Sequence, residues 1–413
     1  MKKAFKILLF IYIIGSAVYI FNNQFKDIYL DNQLDNDNKE ALSMMLETEA
    51  GSGKYQETTR SSWPEDGYVF NETLSKCEKG SSLSWDNSKK SVVMIGTNAD
   101  KCYVYFDKEL DVLTFAYYIK KMYTTQGENN LYFHDNTLAG GANDNSYRYS
   151  GSSETTNNFV CFGYDSTDGT CPTDNLYRII GVFDDQVKLI KYDYANSNLL
   201  GTDGEHYSYT YSPYDTYKGE LESIDVFYFN IGNTHNNVWN ESKLNTINLN
   251  TNYLNNIGST WANKISTYTW KTGGNTKENF INVSASLTYQ NEIVSPADET
   301  IVQAKVGLMY VSDYGYALSP SLWGTSLEYY SNVTDDNWMY MGMYDWTITK
   351  KSDTNDMIFN VWRTGKVYYN HYGSTYSKND YYYLGSVRPC FYLNSDVTYK
   401  GGKGTKSEPF LIE

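Results

Sequence analysis

Thr334-Asp335-Asp336-Asn337-Trp338 is the stretch best equipped to hold a hard cation, because carboxylate and amide oxygens are what calcium takes. Asp335, Asp336 and Asn337 are the candidate ligands, with Asp345, Asp353 and Asp356 nearby in sequence. Asp and Asn are also ordinary turn residues, and the EF-hand loop pattern is absent. A second group suits recognition. Trp323, Tyr330, Trp362, Tyr369, Tyr372 and Tyr376 stand among Ser-, Gly- and Asn-rich loops, the composition of adaptable binding surfaces. Such rings stack on sugars or grip peptides, although strand alternation sends about half of any run to the core.

Groupings that would perform catalysis are weaker. No GxSxG elbow occurs, and His134-Asp135 and Glu205-His206 fall in polar stretches that read as surface. Gly401-Gly402-Lys403-Gly404-Thr405-Lys406-Ser407 departs from the GxxxxGK[ST] phosphate loop and precedes no helix, so it reads as a turn. The expectation is a protein without catalytic residues, with calcium the one cofactor its residues would admit.

Five cysteines and four histidines give no zinc spacing and no CxxC. Cys77 with Cys102, and Cys161 with Cys171, form two local pairs suited to disulfides in an oxidising compartment, leaving Cys390 over and buried. The net charge of −15, from 34 basic and 49 acidic residues, repels a nucleic-acid backbone. No nucleic-acid partner is expected.

The elements that must position these residues begin with a lysine-bearing start, Met1 to Lys6, and an apolar run from Ile7 to Phe21. That is the pattern of an export signal, and no convincing small-x-small cleavage site follows it. Residues 1–25 are read as an uncleaved signal anchor, a single transmembrane helix, with a cleaved signal peptide second. The lysines stay inside, and the chain after Asn22 lies outside the cell membrane. Residues 26–60 read as a helical stalk and linker, because Glu40-Ala41-Leu42-Ser43-Met44-Met45-Leu46 has a helical look.

Residues 61–110 carry short β-branched and aromatic runs separated by turn residues, a small disulfide-stapled β module. Residues 111–127 read as a connecting helix, with apolar spacing at Leu113, Ala116, Ile119 and Met122. The main domain, 128–413, opens with short strands and a hairpin in which Asp184-Asp185 joins Tyr177–Phe183 to Val187–Lys191. Ser242 caps a helical stretch, and further strands fall at 304–311, 358–362, 366–369 and 387–393. With 16% aromatic residues, 42 of them Tyr, the fold class is α+β and mainly antiparallel β.

Asp174–Gly181, Trp239–Leu244, Lys305–Ser312, Asn337–Gly342 and Val387-Arg388-Pro389, with the ending Gly401–Ile412, together resemble an uncharacterised family of bacterial extracellular proteins. Its members are similar to C-type-lectin-like domains and, remotely, to the formylglycine-generating enzyme fold. The resemblance implies a C-type-lectin-like domain over 128–413 and places Arg388 on a central strand against a buried carboxylate. A formylglycine-type enzyme would need a cysteine pair late in the chain, and Cys390 stands alone there. The expected function is a surface-displayed binding or adhesion protein for a glycan or protein ligand, recognised around residues 323–383. A self-assembling envelope protein is the alternative from another class.

Overall fold

The structure is a computed structural model that describes residues 28–29, 42–58, 63–64, 67–96, 100–109, 113–126, 129–166, 169–211, 224–230, 236–276, 283–371 and 384–413. It divides into two compact units, Met1–Val112 and Leu113–Glu413. Strands are mostly antiparallel, helices are few and short, and both disulfides are formed. The proposed anchor lies outside the described residues. Among the described residues no helix is long and apolar enough to cross a membrane.

The first unit holds a five-stranded sheet in which Cys102–Lys108 is the hub. Leu42–Glu47 pairs with it in parallel, and Tyr68–Phe70 and Lys76–Cys77 pair with it antiparallel. The 42–47 segment corrects the expected helical stalk. Its apolar residues satisfy both periods: Leu42, Met45 and Leu46 would line a helix, whereas Leu42, Met44 and Leu46 line one face of a strand. Leu42 and Met44 are buried with Val104 and Phe106, so an available ladder partner decides the contest. Tyr55–Glu57 adds a further strand, and the stapled module extends well before residue 61. Cys77 and Cys102 stand opposite each other across paired strands and are bonded, as their pairing predicts.

In the second unit, helix Phe115–Gln126 buries Phe115, Ala116 and Ile119 in the unit's own core, so it belongs to this unit. The central sheet has seven strands. Across it run 306–307, 390–392, 186–191, 176–183, 147–149 and 131–133, with Phe159–Cys161 also pairing with 176–183. Leu176–Phe183 is buried almost throughout, which is why its sequence is a continuous apolar run interrupted only by Arg178 and Gly181. The predicted hairpin is present, with Asp184 in the left-handed region at φ 51° and Phe183 paired with Gln186.

Three smaller antiparallel ribbons and a three-stranded sheet, Asp345–Lys350, Met357–Val361 and Val367–His371, surround this sheet. Ser242 caps as expected, its Oγ accepting the Asn245 N–H at 3.4 Å ahead of a ten-residue helical stretch, Leu244–Tyr253, of wider i→i+5 winding. The expected strand over 304–311 is corrected. Strands Ile301–Ala304 and Val306–Gly307 are followed by a helix, Val311–Tyr316, because Asp313 takes the Tyr310 N–H at 2.8 Å and starts the turn.

Candidate functional site

Arg388 and Arg178, both buried in the second unit, solve their charge differently. Arg388 precedes strand Cys390–Tyr392, two residues short of the strand position expected for it, and its Nε donates to Asp345 Oδ2 at 2.6 Å. Its Nη2 also pairs with that oxygen and donates to the Met339 carbonyl at 2.9 Å. The buried carboxylate partner anticipated for Arg388 is therefore present. Burial pushes the Asp345 carboxyl up to about 6 even though the Arg388 charge pulls it down.

Among the described residues Arg178 has no such partner. Its guanidinium donates to Asn158 Oδ1 at 2.6 Å, Ser153 Oγ at 2.8 Å and the carbonyls of Thr156 at 2.8 Å and Trp338 at 3.2 Å. All four acceptors are neutral. Burial lowers the group to about 9, and its face lies over the rings of Phe159 at 4.4 Å and Trp338 at 4.7 Å. The cation thus fixes the 153–159 segment from beneath.

That segment forms one wall of a groove of ≈ 600 Å³. Ser153, Glu154, Thr156 and Asn157 face Thr405, Lys406 and Ser407, while Phe159 and Tyr192 form the floor. The two floor rings meet edge to face with centroids 5.2 Å apart, and Tyr192 is half-buried. Lys406 Nζ donates to the Tyr192 hydroxyl at 3.0 Å and stands 4.7 Å from its ring centre. The glycine-rich stretch read as a turn is indeed one, and it builds the opposite wall. The Phe159 N–H donates to the Gly404 carbonyl at 2.8 Å, and Lys403 Nζ pairs with Glu408 Oε2 at 2.8 Å to close the loop. The groove therefore presents hydroxyls, an amide, one carboxylate, one ammonium and an aromatic face.

The residues singled out from the sequence are distributed differently. Trp323 and Tyr330 are core residues: the Trp323 Nε1–H is spent on the Leu318 carbonyl at 2.7 Å and the Tyr330 hydroxyl on the Gly315 carbonyl at 3.2 Å. Large rings preceded by turn residues look exposed in sequence, but here the turns tuck them inward. Trp362 and Tyr369 are half-buried; Trp362 joins Tyr344 at 5.5 Å and Tyr368 at 5.3 Å, with Lys366 Nζ 4.5 Å over its ring. Tyr372 and Tyr376 lie outside the described residues.

Asp335 and Asp336 are exposed, but Asn337 is not available to an ion. Its amide donates to the Tyr314 carbonyl at 3.0 Å and accepts the Met339 N–H at 3.0 Å. Among the described residues no group of three or more His, Cys, Asp or Glu side chains is placed to hold a metal ion. Cys161–Cys171 is bonded, and Cys390 is buried and free, with burial pushing its thiol up to about 12.

His134 and Glu205 overturn their reading as surface residues, since both are buried. His134 Nδ1 accepts the Ala142 N–H at 3.1 Å, and burial, aided by the charge of Arg148, lowers it to about 3. Sequence reasoning missed Arg148, whose Nη2 pairs with Asp144 at 2.5 Å beneath the rings of Phe183, Tyr289 and Tyr316. The signal that could have found it is Asp144-x-Ser146-x-Arg148, which places three polar groups on one face of a strand entry.

Comparison with protein-family models, with curated proteins and with solved structures gives no match to this chain.

Proposed function

We propose that this chain is a membrane-anchored surface protein whose second unit, a C-type-lectin-like domain, binds a saccharide in the groove between residues 153–159 and 405–407. The observation that carries the reading is the floor, a half-buried Tyr192 ring held by Lys406 and backed by Phe159. Sugar rings pair C–H faces with such aromatics and satisfy their hydroxyls with the kind of mixed polar rim that Ser153, Asn157, Thr405 and Ser407 supply. The groove's size falls within the roughly 300–1,000 Å³ of small-ligand sites. Two disulfides, an acidic surface and the apolar run near the start of the chain support display in an oxidising, extracytoplasmic setting.

The test is a glycan array covering cell-wall and host saccharides, probed with the chain from Asn22 onward. Binding to a restricted set of structures supports the proposal. Silence across the array, coupled with concentration-dependent self-association, would favour an envelope protein that assembles with its own copies.

A further inference from the structure

Lys188 lies on strand Gln186–Lys191, inside the central sheet between 176–183 and 390–392. Its side chain is fully buried, and Nζ is 2.6 Å from Asp313 Oδ2, which is equally buried. Around that nitrogen stand the rings of Tyr310 at 4.6 Å, Tyr392 at 5.1 Å, Trp270 at 5.5 Å and Phe183 at 5.7 Å. An ammonium carries three donors, and Asp313 supplies the acceptor seen among the described residues. Enclosing a charged pair in an aromatic cage strips both ions of water, a desolvation cost the neutral amine and neutral acid avoid.

A second buried carboxyl is bonded to the start of the helix that carries Asp313. Glu292 is buried and accepts the N–H groups of Val311 at 3.0 Å and Ser312 at 2.9 Å, the two residues preceding Asp313. Burial raises Glu292 to about 7, with hydrogen bonds from Ser312 and Thr349 opposing and the Asp313 charge adding to the rise. Lys188, Ser312 and Asp313 also border a cavity of ≈ 70 Å³, enough to hold a water molecule.

We propose that Lys188 and Asp313 condense spontaneously into an intramolecular isopeptide bond, with Glu292 as the neighbouring carboxyl that relays the proton. A proton first passes from the ammonium to the aspartate, leaving a neutral amine and a neutral acid. The Nζ lone pair then attacks Asp313 Cγ, forming the C–N bond. The C–O bond breaks, and the departing hydroxyl takes one proton from the nitrogen through Glu292 and leaves as water into the cavity. One amide and one water result, no oxidant or cofactor is consumed, and both buried charges disappear. The link would tie the central sheet to the helix at Val311–Tyr316 across a sequence separation of 125 residues. It is independent of the saccharide-binding reading.

Peptide mapping by mass spectrometry of the full, folded chain with its disulfides reduced tests the bond. The expected result is a branched peptide joining the Lys188 and Asp313 segments, lighter than their sum by one water, about 18 Da, and resistant to trypsin at Lys188. Lys188→Arg should abolish that peptide, and Glu292→Gln should reduce its yield at least tenfold in protein that still folds. Recovery of the Lys188 and Asp313 segments as separate, full-mass peptides from the folded parent chain would overturn the proposal, leaving an ion pair only. An undiminished cross-link in Glu292→Gln would overturn the relay assigned to Glu292.

Discussion

Gly404 packs so closely on Asn157 that a Cβ at Gly404 would lie 2.6 Å from the Asn157 carbonyl oxygen. The same Cβ would reach 2.5 Å from the Phe410 ring, and Gly404 has φ +75°, in the left-handed region. This contact joins the two walls of the groove. Gly404→Ala should cost about 2 kcal/mol in thermal or denaturant unfolding, the sum of backbone strain and displaced packing. It should also weaken saccharide binding by detaching the 405–407 wall. An alanine variant as stable as the parent would mean that the walls are not joined in this way.

His134 makes the fold acid-sensitive. Its folded value near 3 lies below the ordinary 6.5, so the stability it contributes is complete above about pH 6.5 and is lost as pH falls toward 3. Glu292 and Asp345 act in the opposite sense. Their raised values favour the fold below the ordinary carboxylate range, and that contribution is lost as pH rises through about 7 and 6 respectively. The comparison of His134→Asn with the parent isolates the histidine. The variant should lose less stability than the parent between pH 6.5 and 4 in chemical denaturation, and parallel pH profiles would contradict the burial argument.

Arg388 neutralises Asp345 inside the domain. Arg388→Met should cost roughly 3–5 kcal/mol at pH 7, the usual penalty for orphaning a buried charge. Without Arg388 the Asp345 carboxyl rises further, so the deficit against the parent should shrink toward pH 5, where the acid is protonated in the fold. Denaturation midpoints at the two pH values measure this.

The Cys77–Cys102 bond closes a separation of 25 residues within the first unit. Replacing both cysteines with serine should lower that unit's stability by roughly 3 kcal/mol on the loop-entropy account. Proteolytic susceptibility of the 42–109 region, followed by mass spectrometry, reports it locally. Unchanged protection would show that the apolar packing of Trp63, Val104 and Phe106 suffices.

Much of the strand layout was legible because neighbouring residues specify it. The 176–191 hairpin needs only two apolar runs and Asp184-Asp185, and the disulfide pairs are local in sequence. Segment 42–47 was not, because Leu42, Met44, Met45 and Leu46 fit both periods until Cys102–Lys108 offers hydrogen bonds. The site was largely hidden for a related reason. Its walls lie some 250 residues apart, and nothing local in Thr156 or Lys406 announces the other. Trp323 looks in sequence like a ligand platform and His134 like a surface residue, yet both are buried and their rings lie 5.0 Å apart. Burial set by distant contacts overrides the polarity of a residue's sequence neighbours.

Saccharide binding in the groove turns on the Tyr192 ring. The most direct measurement is the affinity of the parent and of Tyr192→Ala for the strongest saccharide on the array, by calorimetry on folded protein. Loss of an aromatic platform worth about 0.5–1.5 kcal/mol beyond its burial should weaken binding several-fold to tenfold, with thermal stability little changed. Equal affinity in the two proteins would move the binding surface away from this groove.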